Sequence, residues 1–127
     1  MKKLLLLALI LSSFVCIAQE NSTFVEKYTS TISKTDGVLQ PWKKTDLTVV
    51  FNSNGTTDIV FYYTNGKTIK FYRIGNVEEG VTTGGNEYQL VQCIDEDGTK
   101  VIMQLFSNNS CLRITLAEGY MIEFHKD

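Results

Sequence analysis

The stretch that decides the fold is residues 88–127, YQLVQCIDEDGTKVIMQLFSNNSCLRITLAEGYMIEFHKD. Its four apolar runs are separated by three short turn signals: Asp97-Gly98, Asn108-Asn109 and Ala117-Glu118-Gly119. Runs rich in β-branched and aromatic residues, bounded by such turns, are typical of strands joined by hairpins. This stretch therefore predicts a four-stranded antiparallel meander.

Loop length fixes the register of these strands, and the register decides which side chains share a face. A two-residue loop at Asp97-Gly98 predicts that Ile94 lies opposite Val101. A two-residue loop at Asn108-Asn109 predicts in the same way that Leu105 lies opposite Leu112. The inward residues of the first strand would then be Leu90, Gln92 and Ile94.

The last turn is predicted to be a three-residue loop, because Gly119 can take the left-handed conformation that such a loop needs. This choice joins the final strand to the apolar face of the meander, which then contains Leu112, Ile114, Leu116, Tyr120, Ile122 and Phe124. On the other face it places Glu123 opposite Arg113, an opposite-charge pair of adjacent strands.

A second meander is predicted between Asp46 and Ile74, where Asn54-Gly55 and Asn65-Gly66 are typical of two-residue type I′ hairpin loops. Pairing through these loops predicts a core face of Leu47, Val49, Phe51, Val60, Tyr62, Ile69 and Phe71, with Asp58 opposite Arg73 at its rim. The reverse face would hold Val50, Ile59, Phe61, Tyr63, Tyr72 and Ile74.

That reverse face is too apolar for a simple solvated surface, so we expect the N-terminal segment, a partner protein or a ligand to cover it. Phe61, Tyr63 and Tyr72 are therefore candidate contacts for a ligand or partner. Trp42, the single tryptophan, is a fourth candidate, although it can also plug one end of the core.

Residues 21–44 combine two patterns. Phe24, Tyr28 and Ile32 recur at helical spacing, whereas the run from Tyr28 to Ile32 has the composition of a strand. We favour the strand, followed by a turn at Asp36-Gly37.

Residues 1–18 have the features of a secretory signal: Lys2 and Lys3, an apolar run, and the small residue Ala18. Lipidation at Cys16 is the alternative. Cleavage after Ala18 would remove two lysines and no acidic residue, so 12 basic against 14 acidic residues become 10 against 14, a net charge of −4. We expect a secreted or periplasmic protein without a membrane span, and a surface that does not favour nucleic acid.

Residues 19–127 are long enough for a single domain with one modest core. The segment from Gly75 to Glu87 is predicted to be a flexible connection, or a lid over one end of the β structure. Eight strands in sequential antiparallel order can close into an up-and-down barrel, which resembles the lipocalin-like architecture in strand number and order. The Gly-x-Trp signature of lipocalins is missing, since Gly37 and Trp42 stand five apart. A strongly bent open sheet is the alternative.

Few residues carry chemistry. Cys93 and Cys111 are predicted to stay unpaired, because a third strand separates their strands. His125 falls opposite Cys111, but a dyad so near a chain end is a poor nucleophile site. We predict no catalytic residues, no metal site and no cofactor.

Two classes of function remain. The first is an exported, non-enzymatic binding module, in which a barrel end or the reverse face takes a small apolar ligand. The second is a protein-interaction or inhibitor domain of the cell envelope that has no small-molecule ligand.

Overall fold

The computed structural model describes residues 22–116 and 119–126. The predicted signal segment, with Cys16, lies outside the described residues. Within this part of the chain, no helix is long and apolar enough to cross a membrane.

The described residues form ten strands and two single-turn 3₁₀ segments. The strands are β1 (Phe24–Thr35), β2 (Val38–Leu39), β3 (Lys43–Phe51), β4 (Ile59–Tyr63), β5 (Thr68–Arg73), β6 (Glu78–Val81), β7 (Glu87–Asp95), β8 (Lys100–Phe106), β9 (Cys111–Thr115) and β10 (Met121–His125).

Eight of these strands close into an antiparallel barrel. They pair in the order β1, β3, β4, β5, β7, β8, β9 and β10, and β10 pairs back with β1. The two remaining strands lie outside this ring, because β2 pairs with the end of β1 and β6 pairs with β7. The predicted all-β barrel in sequential order is confirmed, and the sheet is closed rather than open.

The N-terminal segment is a strand of the barrel wall. The first half of β1 pairs with β3, from Phe24 opposite Phe51 to Tyr28 opposite Leu47. After a register shift between Tyr28 and Ser30, the strand also pairs with β10. A bulge bends a strand, so one long strand can contact both neighbours. The prediction of a strand is confirmed, but β1 does not cover the reverse face of β3–β5.

Two of the three predicted registers in the second meander are confirmed, although residues 107–110 lie between the strands at the Asn108-Asn109 turn. Leu105 lies opposite Leu112, and Glu123 lies opposite Arg113. Gly119 has a φ of 80°, and the Leu116 amide donates to the Tyr120 carbonyl across the loop.

The predicted register at Asp97-Gly98 is wrong by one residue. Oδ1 of Asp95 accepts hydrogen bonds from the amides of Asp97 and Thr99, and this stabilises a three-residue loop in which Gly98 is left-handed. Cys93 therefore lies opposite Val101. The inward residues of β7 are Gln89, Val91, Cys93 and Asp95, instead of Leu90, Gln92 and Ile94.

Both predicted loops of the first meander are also too short. The Ser53 amide bonds to the Asp58 carbonyl across a four-residue loop, and the Tyr63 amide bonds to the Lys67 carbonyl across a three-residue loop. The two errors cancel for β5, which turns Ile69 and Phe71 inward as predicted.

The errors do not cancel for β4. Val49 lies opposite Phe61, so the strand turns Ile59, Phe61 and Tyr63 inward and Val60 and Tyr62 outward, the reverse of the prediction. The predicted position of Asp58 opposite Arg73 is also wrong, because Ile59 lies opposite Phe71 and the register is shifted by one residue. The Asp58 carboxylate lies 3.5 Å from Nζ of Lys70.

The segment from Gly75 to Glu87 contains the short strand β6, which pairs with β7, so its prediction as a flexible connection is wrong. Its alternative role as a lid stays a prediction. β6 and β7 form a hairpin that places Gly80 opposite Tyr88. A Cβ atom at Gly80 would lie 2.5 Å from the Tyr88 ring. The aromatic ring therefore occupies the space that the glycine leaves open.

Side chains from all eight wall strands fill the barrel interior. We call one end the base; it contains the start of β1 and the connections β3–β4 and β8–β9. There Phe24 stacks on Phe51 with ring centroids 4.5 Å apart, and Asn52 is only 3% exposed. The other end, the mouth, lies at the turns that follow β1, β4, β7 and β9.

Candidate functional site

The mouth contains an apolar pocket of about 210 Å³. Eight of its nine lining residues are aliphatic or aromatic, and the ninth is acidic: Phe61, Tyr63, Ile69, Phe71, Ile114, Leu116, Ile122, Phe124 and Asp95. All nine come from the inward faces of β4, β5, β7, β9 and β10, or from the residue directly after β9. The alternation of strand side chains therefore positions this lining.

The floor of the pocket consists of packed aromatic rings. The Phe61 ring is 1% exposed and meets Phe71 edge-on at 5.0 Å and Phe124 edge-on at 5.8 Å between ring centroids. Edge-to-face aromatic pairs are favourable beyond their buried area. Tyr63 stands nearer the opening, where burial raises the pKa of its hydroxyl.

The rim of the mouth exposes apolar side chains. Val38, Leu39, Leu116 and Tyr120 have relative exposures of 61%, 59%, 41% and 39%. The turn between β1 and β2 is tied to this rim, because the Gly37 amide donates to the Gly119 carbonyl and the Tyr120 hydroxyl donates to Asp36 Oδ1 at 2.7 Å. An apolar surface around an apolar opening is a favourable entry path for an apolar molecule.

The four predicted contact residues do not share one surface. Phe61 and Tyr63 lie in the mouth pocket, whereas Tyr72 lies on the outer wall with Nζ of Lys70 5.1 Å from its ring centroid. Trp42 is 54% exposed and does not plug the core, so that predicted role is wrong. A contact role for each of the four stays a prediction.

A second cleft lies on the outer wall, where Cys111 and Arg113 of β9 face His125 and Glu123 of β10. The cleft has a volume of about 290 Å³ and is also lined by Asn86, Phe106, Ser107 and Ser110. Nε2 of His125 lies 3.4 Å from the Cys111 sulfur and 2.9 Å from Glu123 Oε1. Nε of Arg113 donates to the other carboxylate oxygen, Oε2, at 2.7 Å.

The electrostatics of this cluster do not favour a thiol nucleophile. Burial, aided by the carboxylate of Glu123, raises the pKa of Cys111 to about 12. Burial also opposes ionisation of Glu123, but hydrogen bonds from His125 and Arg113 together hold the pKa of that carboxyl below its usual range. The thiol thus stays protonated at neutral pH, which suppresses nucleophilic chemistry.

The sequence predicted the pairing of Cys111 with His125, and also the unpaired state of both cysteines, which is confirmed. It did not predict the mouth pocket. Ile114, Ile122 and Phe124 were predicted on one apolar face, but the predicted register of β4 placed Phe61 and Tyr63 on the reverse face, outside the pocket that they line. The length of two loops was the missing information.

Fold and pocket together define a small closed antiparallel β-barrel with an apolar mouth at one end. Comparison of the chain with protein-family models, with curated proteins and with solved structures finds no match.

Proposed function

We propose that this protein is a non-enzymatic binding module that takes a small apolar ligand into the mouth of its barrel. In strand number and order, the barrel resembles the lipocalin-like architecture. The observation that supports it is the pocket of about 210 Å³ at one end of a barrel whose core is formed by buried side chains from all eight wall strands. Apolar concave pockets with few polar groups are typical of small-molecule sites.

The size of the pocket limits the ligand. A cavity of about 150 Å³ lined by aliphatic and aromatic side chains holds one benzene molecule. The mouth therefore suits a single ring with a short alkyl chain. For a ligand of this size we expect dissociation constants on the order of 10 µM to 1 mM.

Asp95 adds a charge preference. Asp95 is the last residue of β7, and its side chain lies on the inward face, directly opposite Phe71. Its Oδ1 accepts hydrogen bonds from two backbone amides of the following loop. A carboxylate at the edge of an apolar pocket favours an amine and disfavours an anion. We therefore propose neutral or cationic ligands, in preference to carboxylates.

The signal-like residues 1–18 support a secreted or periplasmic location for this binding module. In such a location, the ligand is a small molecule of the surroundings of the cell rather than a cytoplasmic metabolite.

Three probes of similar size test the proposal: propylbenzene, phenethylamine and phenylacetate, titrated by ligand-observed NMR. We expect binding of propylbenzene and phenethylamine, and affinity for phenylacetate at least about 10-fold lower. Ile122→Trp should fill the pocket and weaken binding of the first two probes at least about 10-fold. Ile102→Trp makes the same change on the outer wall, where Ile102 is 38% exposed, and should leave binding unchanged.

Failure of all three probes to bind at millimolar concentration would contradict the proposal and favour the protein-interaction class instead. Equal binding by Ile122→Trp and the original chain would show that the probes bind outside the mouth.

A further inference from the structure

We propose that Cys111, Glu123 and His125 bind a zinc ion on the outer wall of the barrel, between β9 and β10. This site is separate from the mouth pocket. The three side chains lie on the outer face of β9 and β10, whereas side chains on the inner face of the same strands line the mouth. Thiolate, imidazole and carboxylate are the three side-chain ligand types that zinc uses in proteins. When the zinc–sulfur bond forms, the S–H bond of Cys111 breaks and its proton is released to solvent.

The spacing of the donor atoms is close to that around a tetrahedral ion. Zinc bonds of about 2.0–2.3 Å at tetrahedral angles place the ligand atoms roughly 3.3–3.7 Å apart. Here the Cys111 sulfur and His125 Nε2 are 3.4 Å apart, His125 Nε2 and Glu123 Oε1 are 2.9 Å apart, and one donor atom of each residue lies within 4.8 Å of the others. The sulfur–nitrogen distance of 3.4 Å lies within this range, whereas the nitrogen–oxygen distance of 2.9 Å must lengthen by about 0.4 Å when the ion enters.

The arrangement of contacts around His125 favours a metal site over a catalytic triad. In a catalytic triad, one ring nitrogen of the histidine contacts the nucleophile and the other contacts the carboxylate. Here the sulfur and the carboxylate oxygen both contact Nε2. Three donors that converge on one point are what a metal ion requires.

Neighbouring side chains hold the ligands in place. Arg113 donates to Oε2 of Glu123, which leaves Oε1 for the ion and fixes the plane of the carboxylate. The Trp42 ring packs edge-on against the His125 ring with centroids 4.9 Å apart. Partners of this kind orient metal ligands and raise metal affinity.

The protein supplies three ligands, and the fourth position faces the cleft of about 290 Å³. Zinc sites with three protein ligands keep an open position for water or another small ligand. The ion would also connect the last strand of the barrel to β9.

The test uses purified protein that has been stripped of metal with a chelator. Titration with Zn²⁺ against a chromophoric chelator should show one ion bound per chain. Co²⁺ in place of Zn²⁺ should give a thiolate-to-cobalt charge-transfer band, together with the visible bands of four-coordinate cobalt. Co²⁺ should also quench the fluorescence of Trp42, the single tryptophan, which contacts His125.

The variants separate this site from adventitious binding. Cys111→Ala and His125→Gln should each weaken zinc affinity by more than about 100-fold, and Arg113→Lys by about 10-fold to 100-fold. Cys93→Ala removes the second thiol of residues 22–126, which lies on the inward face of β7, and should leave zinc affinity unchanged. Circular dichroism of each variant checks that the barrel is intact.

Absence of the charge-transfer band in the unmodified protein would overturn the proposal, whatever the variants do. Zinc affinity that is the same in Cys111→Ala and the unmodified protein would overturn it as well.

Discussion

Tyr28 and Cys93 are both completely buried in the core, although each carries a group that can lose a proton. The Tyr28 hydroxyl has no hydrogen-bond partner among the described residues. Burial raises the pKa of Tyr28, and the nearby Glu26 and Cys111 raise it further. Burial also raises the pKa of Cys93 to about 12, against a smaller opposite effect of Arg73. The folded chain therefore retains two protons that the unfolded chain releases at alkaline pH.

This retention predicts that the protein loses stability as the pH rises above about 9. Between the ordinary pKa of a cysteine, about 9, and the folded-state value of about 12, the folded state binds more protons than the unfolded state. The free energy of unfolding then falls by about 1.4 kcal/mol per pH unit, on the order of 4 kcal/mol in all, from Cys93 alone. Below pH 8 this contribution is complete. Urea unfolding from pH 7 to pH 11 measures the slope.

Two variants identify the source of the slope. Tyr28→Phe and Cys93→Ala each remove one retained proton, and a chain with both changes should show a clearly flatter pH dependence. The groups that remain, such as Tyr63 and Cys111, are common to all four chains. Equal slopes in the double variant and the original chain would show that other groups control the alkaline transition. Near pH 7, Tyr28→Phe should not lower stability, because it deletes an unpartnered buried hydroxyl.

The sequence predicted part of the outer cluster of Cys111, Arg113, Glu123 and His125, and little of the mouth pocket. One loop length was enough to pair Cys111 with His125 and Arg113 with Glu123, because hairpin register follows from the turn. The His125 ring, whose Nε2 contacts both Sγ and Oε1, packs against Trp42, which is distant in sequence. Nothing local in the chain specifies that packing.

At the scale of the element, the hairpin loops explain what could be predicted. The loop at Gly119 was predicted correctly because only one length joined apolar residues to an apolar face. The loops at Gly55, Gly66 and Gly98 were each predicted to be two-residue turns. The structure has a four-residue loop at Gly55 and three-residue loops at Gly66 and Gly98. Side-chain hydrogen bonds stabilise the longer forms, as when Asn65 Oδ1 accepts from the Lys67 amide. Since both lengths contain a left-handed glycine, the glycine alone does not distinguish them.

The flipped register of β4 gives the sharpest test at this scale. Phe61 and Tyr62 are neighbours on opposite faces of one strand, with relative exposures of 1% and 44%. Phe61→Ser should lower the free energy of unfolding by about 3–5 kcal/mol, because it removes a ring that packs on Phe71 and Phe124. Tyr62→Ser should change it by less than about 1 kcal/mol. Thermal and urea unfolding of both variants make the comparison.

Tyr72→Ser serves as a second outer-wall control and should also have a small effect. If Tyr62→Ser lowered stability more than Phe61→Ser, the result would show that β4 has the register of the predicted two-residue loops. Phe61 and Tyr63 would then lie outside the mouth. That result would remove the structural basis of the proposed ligand site.

At the scale of the whole molecule, the central fact is the pairing of the first and last strands. Ser30 lies opposite His125 and Lys34 lies opposite Met121, nearly the full length of the domain apart in sequence. Strand count and order favoured closure, but no turn links β1 to β10, so no loop could set their register. The bulge after Tyr28 also had no recognisable signal. Closure therefore depends on long-range packing, with the Thr31 hydroxyl donating to the Glu123 carbonyl across the seam.

A disulfide across this seam tests closure directly. Lys34 and Met121 are directly opposite each other on the outer surface of the seam, as the inward pairs beside them are Ser33 with Ile122 and Thr31 with Phe124. Directly opposite residues of antiparallel strands have Cα atoms about 4.5–5.5 Å apart, within the range of a disulfide. Lys34→Cys with Met121→Cys should therefore form an intramolecular disulfide in air and raise the free energy of unfolding by about 2–4 kcal/mol.

Lys34→Cys with Ile102→Cys puts the second thiol on β8, two strands beyond β10, and should not cross-link. Peptide mapping identifies the linked pair. An open sheet would separate residues 34 and 121 by the width of all eight wall strands, so failure of the first pair to cross-link in a folded monomer would show that β1 and β10 do not meet.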